Sequence, residues 1–99
     1  MRTFHLKVAG VTFDNRQRVV SQLRAGDLLH LIPEPSNPYD NHAVRVVTST
    51  GADVGYIPRE HNRMIFESLQ NGSLRYNVRV SAITGAEYGV YGVNIEISY

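Results

Sequence analysis

Hydrophobic and polar residues alternate over several short stretches of the chain, a pattern typical of β-strands with one buried face. Residues 2–10 and 93–98 alternate in this way near the two ends of the chain. Four more strands are predicted over 28–32, 43–48, 54–57 and 74–82. The apolar face of the longest strand is expected to carry Leu74, Tyr76, Val78, Val80 and Ala82. The pattern therefore predicts about six short strands.

Two segments carry helix signals instead. Asp14 with Gln17 three residues later is typical of an N-terminal capping box, and Gly26 is a natural stop, so a short helix is expected over 15–25. A second helix is expected over 58–70, with its proline in the first turn. The inner faces are predicted to consist of Val19, Val20 and Leu23 in the first helix and Ile65, Phe66 and Leu69 in the second.

The connections between strands decide the fold class. Residues 34–42, called here the proline loop, hold two X-Pro steps and no aliphatic side chain, so they form a loop. Residues 85–89 are expected to form a hairpin loop. Most connections are too short for parallel crossovers. The prediction is a mainly β fold, a small OB-like or SH3-like six-stranded antiparallel barrel with two short helices, in a single domain over residues 1–99.

The amino-acid composition excludes several classes of protein and of functional site. The chain has 99 residues, 42% of them hydrophobic and 19% charged, as in an ordinary folded domain. It has no cysteine, which excludes disulfide scaffolds, thiolate metal sites and cysteine nucleophiles. No apolar run approaches the ~18 residues of a membrane span, and the first residues lack a signal-peptide stretch. A cytoplasmic protein that does not bind membranes is expected.

The basic residues are unusual in kind. Nine of the ten are arginine, whose planar fork of donors suits phosphates and can stack on bases. Residues 1–24 carry a balance of +4, and residues 25–60 a balance of −3. This asymmetry permits a polyanionic partner on one side, and it is equally compatible with an ordinary solvated surface.

Catalytic signals are missing from the sequence. The four histidines His5, His30, His42 and His61 have no partner at a metal-ligand spacing. The glycines stand singly at turns, so there is no glycine-rich phosphate loop, and no nucleophile-elbow sequence occurs. We therefore expect a non-enzymatic protein with no catalytic residues, metal site or cofactor.

Aromatic residues at predicted loops are more informative. Phe13 lies between a strand and a helix, Tyr39 in the proline loop and Tyr88 in the hairpin loop. Proteins that bind single-stranded nucleic acids stack bases on such rings and contact phosphates with arginine. The alternative is that Phe13 plugs one end of the barrel and Tyr39 folds back over the core.

Four stretches together resemble the HIRAN domain family. They are residues 8–13, 29–34, 37–44 and 54–59, and the resemblance extends over about residues 4–83. Its most specific parts are the Glu-Pro-x-Asn-Pro-Tyr-Asp sequence of the proline loop and the later Gly-Tyr-Ile-Pro sequence. The family includes domains of fork-remodelling helicases and small standalone bacterial proteins.

The resemblance implies an OB-like barrel that binds single-stranded DNA by its 3′ end. By matching position, Tyr39 and Phe13 would stack on the terminal bases and Asp40 would accept the free 3′-hydroxyl. Asn37 would be a polar contact or a brace of the loop, and Arg59 would contact phosphate. A carboxylate suits a terminal hydroxyl, which can donate to it, and repels an internal phosphodiester.

Tyr56 and Tyr88 complete the set of predicted DNA-binding residues. Thr12 stands where helicase members carry arginine, and Phe13 stands where they carry tyrosine. The expected partners are single-stranded DNA or DNA ends, together with a helicase or repair protein. Two alternatives stay open: a protein-interaction module that keeps this fold without binding DNA, and an Asp40 that only caps a turn through the N–H two residues on.

Overall fold

The computed structural model describes residues 2–72 and 75–99. The elements are β1 (Thr3–Lys7), α1 (Arg16–Val20), β2 (Leu28–Glu34), β3 (Ala43–Thr48), β4 (Asp53–Tyr56), α2 (Arg59–Gln70), β5 (Asn77–Thr84) and β6 (Gly92–Ser98). The hairpin loop between β5 and β6 contains one 3-10 turn, Ala86–Tyr88. The predicted mainly β fold with six strands and two helices is confirmed. The predicted place of Leu74 in the long strand lies outside the described residues.

All six strands form one antiparallel sheet in the order β1-β6-β5-β2-β3-β4. The predicted barrel is only loosely closed, because no continuous ladder joins the edge strands β1 and β4 within the described residues. One isolated bridge joins them instead: Ala9 and Tyr56 exchange backbone hydrogen bonds of 2.8 and 2.9 Å. The gap stays open because β4 has only four residues and the chain turns away at Gly10, where φ is +75°.

The hydrophobic core lies inside the curl of this sheet. Alternate residues of every strand point inward, as the sequence pattern predicts, and both helices cover the remaining side. Among the described core residues, six are completely buried: Val20, Val44, Val46, Val54, Val93 and Ile95. The loops at one end of the sheet are not part of this core, and their side chains are available to form a binding surface.

The first helix differs from its prediction. It is only five residues long, and neither Asp14 nor the N-cap Asn15 caps it with a side chain, since both are left-handed with φ of 56° and 61°. Gln17 does not reach back to the cap. Its Nε2 donates to the carbonyls of Val11 and Tyr91, and its Oε1 accepts from the Tyr91 N–H. These bonds tie the loop after β1 to the β5–β6 hairpin.

The end of β2 and the start of α2 differ from their predicted positions. β2 continues through Pro33 to Glu34, two residues past the predicted end, and so places the Glu34 side chain at the start of the proline loop. α2 begins at Arg59, with Pro58 as its N-cap instead of in the first turn, and it buries Ile65 and Phe66. Within residues 2–72 and 75–99, no helix has the length and hydrophobicity that crossing a membrane requires.

Candidate functional site

A cleft of about 920 Å³ opens at the end of the sheet where the bridge between β1 and β4 lies. Its walls come from the loop after β1, the proline loop, β3, the end of β4 and the start of α2. Six of the seven predicted DNA-binding residues line it: Phe13, Asn37, Tyr39, Asp40, Tyr56 and Arg59. Tyr88 is the seventh, and it lies outside this lining in the β5–β6 hairpin, so its role stays a prediction.

The two aromatic rings at the rim of the cleft are exposed. Tyr39 is 87% exposed and Phe13 is 66% exposed. Neither ring fills the core, so the alternative in which Phe13 plugs the barrel and Tyr39 folds over the core is wrong. Large apolar rings held in solvent are available as stacking surfaces for a flat ligand.

Asn37 fixes the conformation of the proline loop. Its Oδ1 accepts hydrogen bonds from the backbone N–H groups of Tyr39 at 2.9 Å and Asp40 at 3.2 Å. Its Nδ2 donates to Oε1 of Glu34 at 3.1 Å. Asn37 therefore acts as the brace that the sequence offered as one of its two roles, and it holds the two neighbouring site residues in one arrangement.

Asp40 is a partly buried carboxylate, and hydrogen bonds hold both of its oxygens. Oδ1 accepts from the backbone N–H of His42 at 2.9 Å, and Oδ2 accepts from Nδ2 of Asn62 at 2.8 Å. The turn-capping geometry expected under the alternative interpretation is thus present. The bond from the His42 N–H, the bond from Asn62 and the charge of Arg59 together hold the pKa of Asp40 below its ordinary value, against the effect of burial. Asp40 is therefore ionised at neutral pH.

Arg59 stands at the rim with most of its side chain in solvent. The side chain is 75% exposed, and its Nε lies 3.6 Å from Oδ2 of Asp40. Its Nη2 donates to the carbonyl of Tyr39 at 3.1 Å. Since a guanidinium has five N–H donors, several remain for a ligand.

The floor of the cleft contains an ionic network that the sequence analysis missed. Arg45 donates through Nε to Glu34 at 2.6 Å, through Nη1 to Asp53 at 2.7 Å and through Nη2 to the hydroxyl of Tyr56 at 2.7 Å. The Tyr56 hydroxyl in turn donates to Oε1 of Glu34 at 2.8 Å. Tyr56 is therefore part of the floor. A signal existed in the sequence, since Arg45 interrupts a strand of valines.

These contacts shift the pKa values of the network. Burial would raise the pKa of Glu34, but hydrogen bonds from Arg45, Asn37 and Tyr56 outweigh it and hold this pKa below its ordinary value. The hydrogen bond to Glu34 raises the pKa of Arg45 despite its partial burial. Burial, and then the hydrogen bond to Glu34, raise the pKa of Tyr56. At neutral pH the network holds a charged ion pair and a neutral phenol.

Arg16 extends this network to the other wall. It is only 5% exposed, and it donates through Nε to Oδ2 of Asp53 at 3.0 Å and through Nη1 to the carbonyl of Gly10 at 2.8 Å. Its guanidinium lies 5.3 Å from the ring centroid of Tyr56. Asp53 is thus shared by Arg16 and Arg45, and its buried Oδ1 has no hydrogen-bond partner among the described residues.

The charges of the site are therefore arranged in two layers. In the floor, the guanidinium groups of Arg16 and Arg45 are balanced by Asp53 and Glu34. At the rim, Arg59 is the cation that reaches solvent. The described part of the chain holds no group of three or more His, Asp or Glu side chains placed to hold a metal ion. Two exposed rings, a fixed carboxylate and an exposed guanidinium suit a ligand with flat rings, a hydroxyl and a phosphate.

Comparison with known proteins gives a consistent result. The family model of the HIRAN domain matches residues 1–98. The crystal structure of the HIRAN domain of human HLTF is similar, with a TM-score of 0.73 and 20% identity, covering 96% of this chain and 72% of that one. A crystal structure of a protein from Lactobacillus plantarum has a TM-score of 0.70 and 22% identity, covering 99% and 100%. No curated protein matches.

Proposed function

The chain belongs to the HIRAN domain family, and we propose that it binds single-stranded DNA at a free 3′-hydroxyl end. HIRAN domains are nucleic-acid-binding modules and not catalytic domains. One observation carries the proposal: the fixed carboxylate of Asp40 lines the same cleft as the exposed rings of Phe13 and Tyr39. DNA ends that arise during repair or replication are the partner class that this chemistry fits.

The rings supply affinity that does not depend on sequence. Every base has a flat face, and a base stacked on an aromatic side chain contributes roughly 1–3 kcal/mol. Tyr39 is held for this purpose by the bond from its N–H to Asn37 and by the bond from Arg59 to its carbonyl. Because the loop is already ordered, little conformational entropy is lost when a base stacks on the ring.

Arg59 supplies the phosphate contact. It begins α2, and the N-terminus of a helix favours an anion. The paired arginines of the floor are less suited to this role, since Asp53 and Glu34 already neutralise them.

Asp40 supplies the preference for an end. Its hydrogen bonds from His42 and Asn62 leave acceptor capacity, since a carboxylate offers about four lone-pair sites. A 3′-hydroxyl can donate to one of these sites, whereas an internal phosphodiester is repelled by the negative charge. A strand with a free 3′-hydroxyl can therefore bind beside Asp40, whereas the middle of a continuous strand is disfavoured there.

Fluorescence anisotropy tests the proposal. The same labelled sequence is offered as a single strand and as a blunt duplex, over a series of salt concentrations. We expect tighter binding of the single strand and an affinity that falls steeply with salt, because phosphate contacts release counterions. If no oligonucleotide binds, or if binding does not respond to salt, the protein-interaction alternative is the better account.

A further inference from the structure

A second groove of about 610 Å³ lies directly beside the cleft. The two depressions share the wall formed by Tyr39, Asp40 and Arg59, and the second groove adds Asn41, His42 and Arg63. A polymer whose end lies in the cleft has to leave it, and this groove is a continuous way out.

The second groove presents two guanidinium groups that are mostly in solvent. Arg59 and Arg63 both line it, and each side chain is 75% exposed. The carboxylate that faces it, Asp40, already accepts hydrogen bonds at both oxygens. In the floor of the cleft, by contrast, the arginines are matched by carboxylates. An anionic segment of a ligand is therefore better accommodated in the second groove.

Arg63 is available to such a segment. Its Nε lies 3.2 Å from Oε1 of Glu67, one turn further along α2, and both side chains are largely in solvent. An exposed pair at this spacing contributes little to stability, so a phosphate can replace Glu67 at small cost. Arg59 and Arg63 are themselves one turn apart, with Cβ atoms about 5–6 Å from each other. That spacing is comparable with the distance between successive phosphates of an extended strand.

We infer that the second groove is a subsite for the phosphodiester that follows the nucleotides held in the cleft, and that Arg63 is its main contact. The inference rests on the proposed function. Arg59 then contacts a phosphate inside the cleft, which is present in every strand that binds. Arg63 contacts a phosphate outside the cleft, which is present only in longer strands.

A length series of oligothymidylates with free 3′-hydroxyl ends tests this assignment. For the parent protein, we expect affinity to rise when the strand becomes long enough to leave the cleft. Arg63→Ala is expected to abolish that rise and to lower the salt slope by about one on long strands, while the shortest strands that bind keep the parent affinity. The matched control is Arg24→Ala, which removes an exposed arginine that lines neither groove and is expected to change neither quantity.

A second variant gives a change of opposite sign. Glu67→Gln frees Arg63 from its ion pair, so we expect longer strands to bind more tightly and the shortest strands to bind as before. This readout keeps the inference testable if Arg63→Ala fails to fold. If Arg63→Ala behaves like Arg24→Ala, or Glu67→Gln is without effect, while short strands still bind, the second groove is not a subsite. If the parent protein binds no strand of any length, the proposed function itself fails.

Discussion

The Nε atom of Arg45 donates to Oε2 of Glu34 at 2.6 Å, and this contact joins the floor of the cleft to the proline loop. Glu34 also accepts from Asn37, which in turn holds the N–H groups of Tyr39 and Asp40. A strand residue inside the sheet is thereby connected to the residues proposed to meet the ligand. The loop is ordered before any ligand arrives.

Glu34 makes this arrangement sensitive to acid. Its pKa in the folded protein lies below the ordinary value of 4.5, so its contribution to stability is present above that value and is lost as the pH falls through the folded pKa. We expect the free energy of unfolding, measured with urea, to decrease as the pH is lowered below about 4.5. Asp40, whose pKa is also lowered, from an ordinary value of 3.8, adds to the loss at lower pH.

Glu34→Gln should be less stable than the parent at neutral pH and should lose less stability over the same acid range. Glu87→Gln is the control, because Glu87 lies exposed on the 3-10 turn and should leave the parent's pH profile unchanged. Parallel profiles for Glu34→Gln and the parent would show that Glu34 does not couple the loop to the floor.

Tyr39→Ala is expected to weaken binding of single-stranded DNA by roughly 1–3 kcal/mol, the value of one lost base stack. Because the ring is 87% exposed, the melting temperature should stay close to that of the parent. Anisotropy and thermal unfolding measure the two effects. Tyr88→Ala removes an equally accessible ring, 81% exposed, outside the cleft, and it should weaken binding less. Equal losses for the two variants would contradict the placement of the site.

Arg59→Ala should lower the salt slope of binding by about one, because one phosphate contact is lost. The loss should be the same for all base sequences and for strands of every length that binds. A series of anisotropy titrations at increasing salt gives the slope. An unchanged slope would place Arg59 on the ordinary solvated surface.

Gly55 tests the loose closure of the sheet. A Cβ at this position would collide with the carbonyl oxygen of Ala9 and lie 2.8 Å from Cγ1 of Val8. Gly55→Ala should therefore break the bridge between Ala9 and Tyr56 and destabilise the protein by about 1–3 kcal/mol, as overpacking does. Gly51→Ala is the control in the same urea titration, because its φ of +91° also strains an alanine while a Cβ there meets nothing within 4 Å, so the difference between the two variants reports the collision. Equal stability of the two variants would show that the bridge contributes little.

The sequence predicted those parts of the fold that depend on local pattern. Alternation located the strands, and the two X-Pro steps located the loop that carries Tyr39 and Asp40. The capping box predicted for α1 was wrong because Gln17 makes its hydrogen bonds to Val11 and Tyr91, and Tyr91 is far away in the chain. No local pattern reports such a contact.

The candidate site divides in the same way. The resemblance to a family supplied Phe13, Tyr39 and Asp40, and the structure brings them to one cleft. The pairing of Arg16 and Arg45 on one carboxylate, Asp53, was out of reach, since Arg45 and Asp53 lie on neighbouring strands but only the packing of α1 against β4 brings Arg16 to them. Ion pairs between residues far apart in the chain depend on the tertiary fold, which the local sequence pattern does not report.

Asp40→Asn separates the two roles of this side chain. An amide keeps an oxygen for the His42 N–H and so preserves the turn, but it removes the negative charge and the second oxygen, which accepts from Nδ2 of Asn62. We expect the variant to fold with some loss of stability from the broken Asn62 contact, and to discriminate less between 3′-hydroxyl and 3′-phosphate strands in competition anisotropy. A variant that retains the parent's discrimination would show that Asp40 serves the turn alone.

The most direct measurement compares two oligonucleotides on the unmodified protein. They share one sequence, and one ends in a 3′-hydroxyl while the other ends in a 3′-phosphate. A hydrogen bond to a charged acceptor contributes about 1.5–3 kcal/mol, so the phosphate-ended strand should bind at least about tenfold more weakly. Equal affinities, measured by anisotropy at one salt concentration, would contradict recognition of the 3′ end by Asp40.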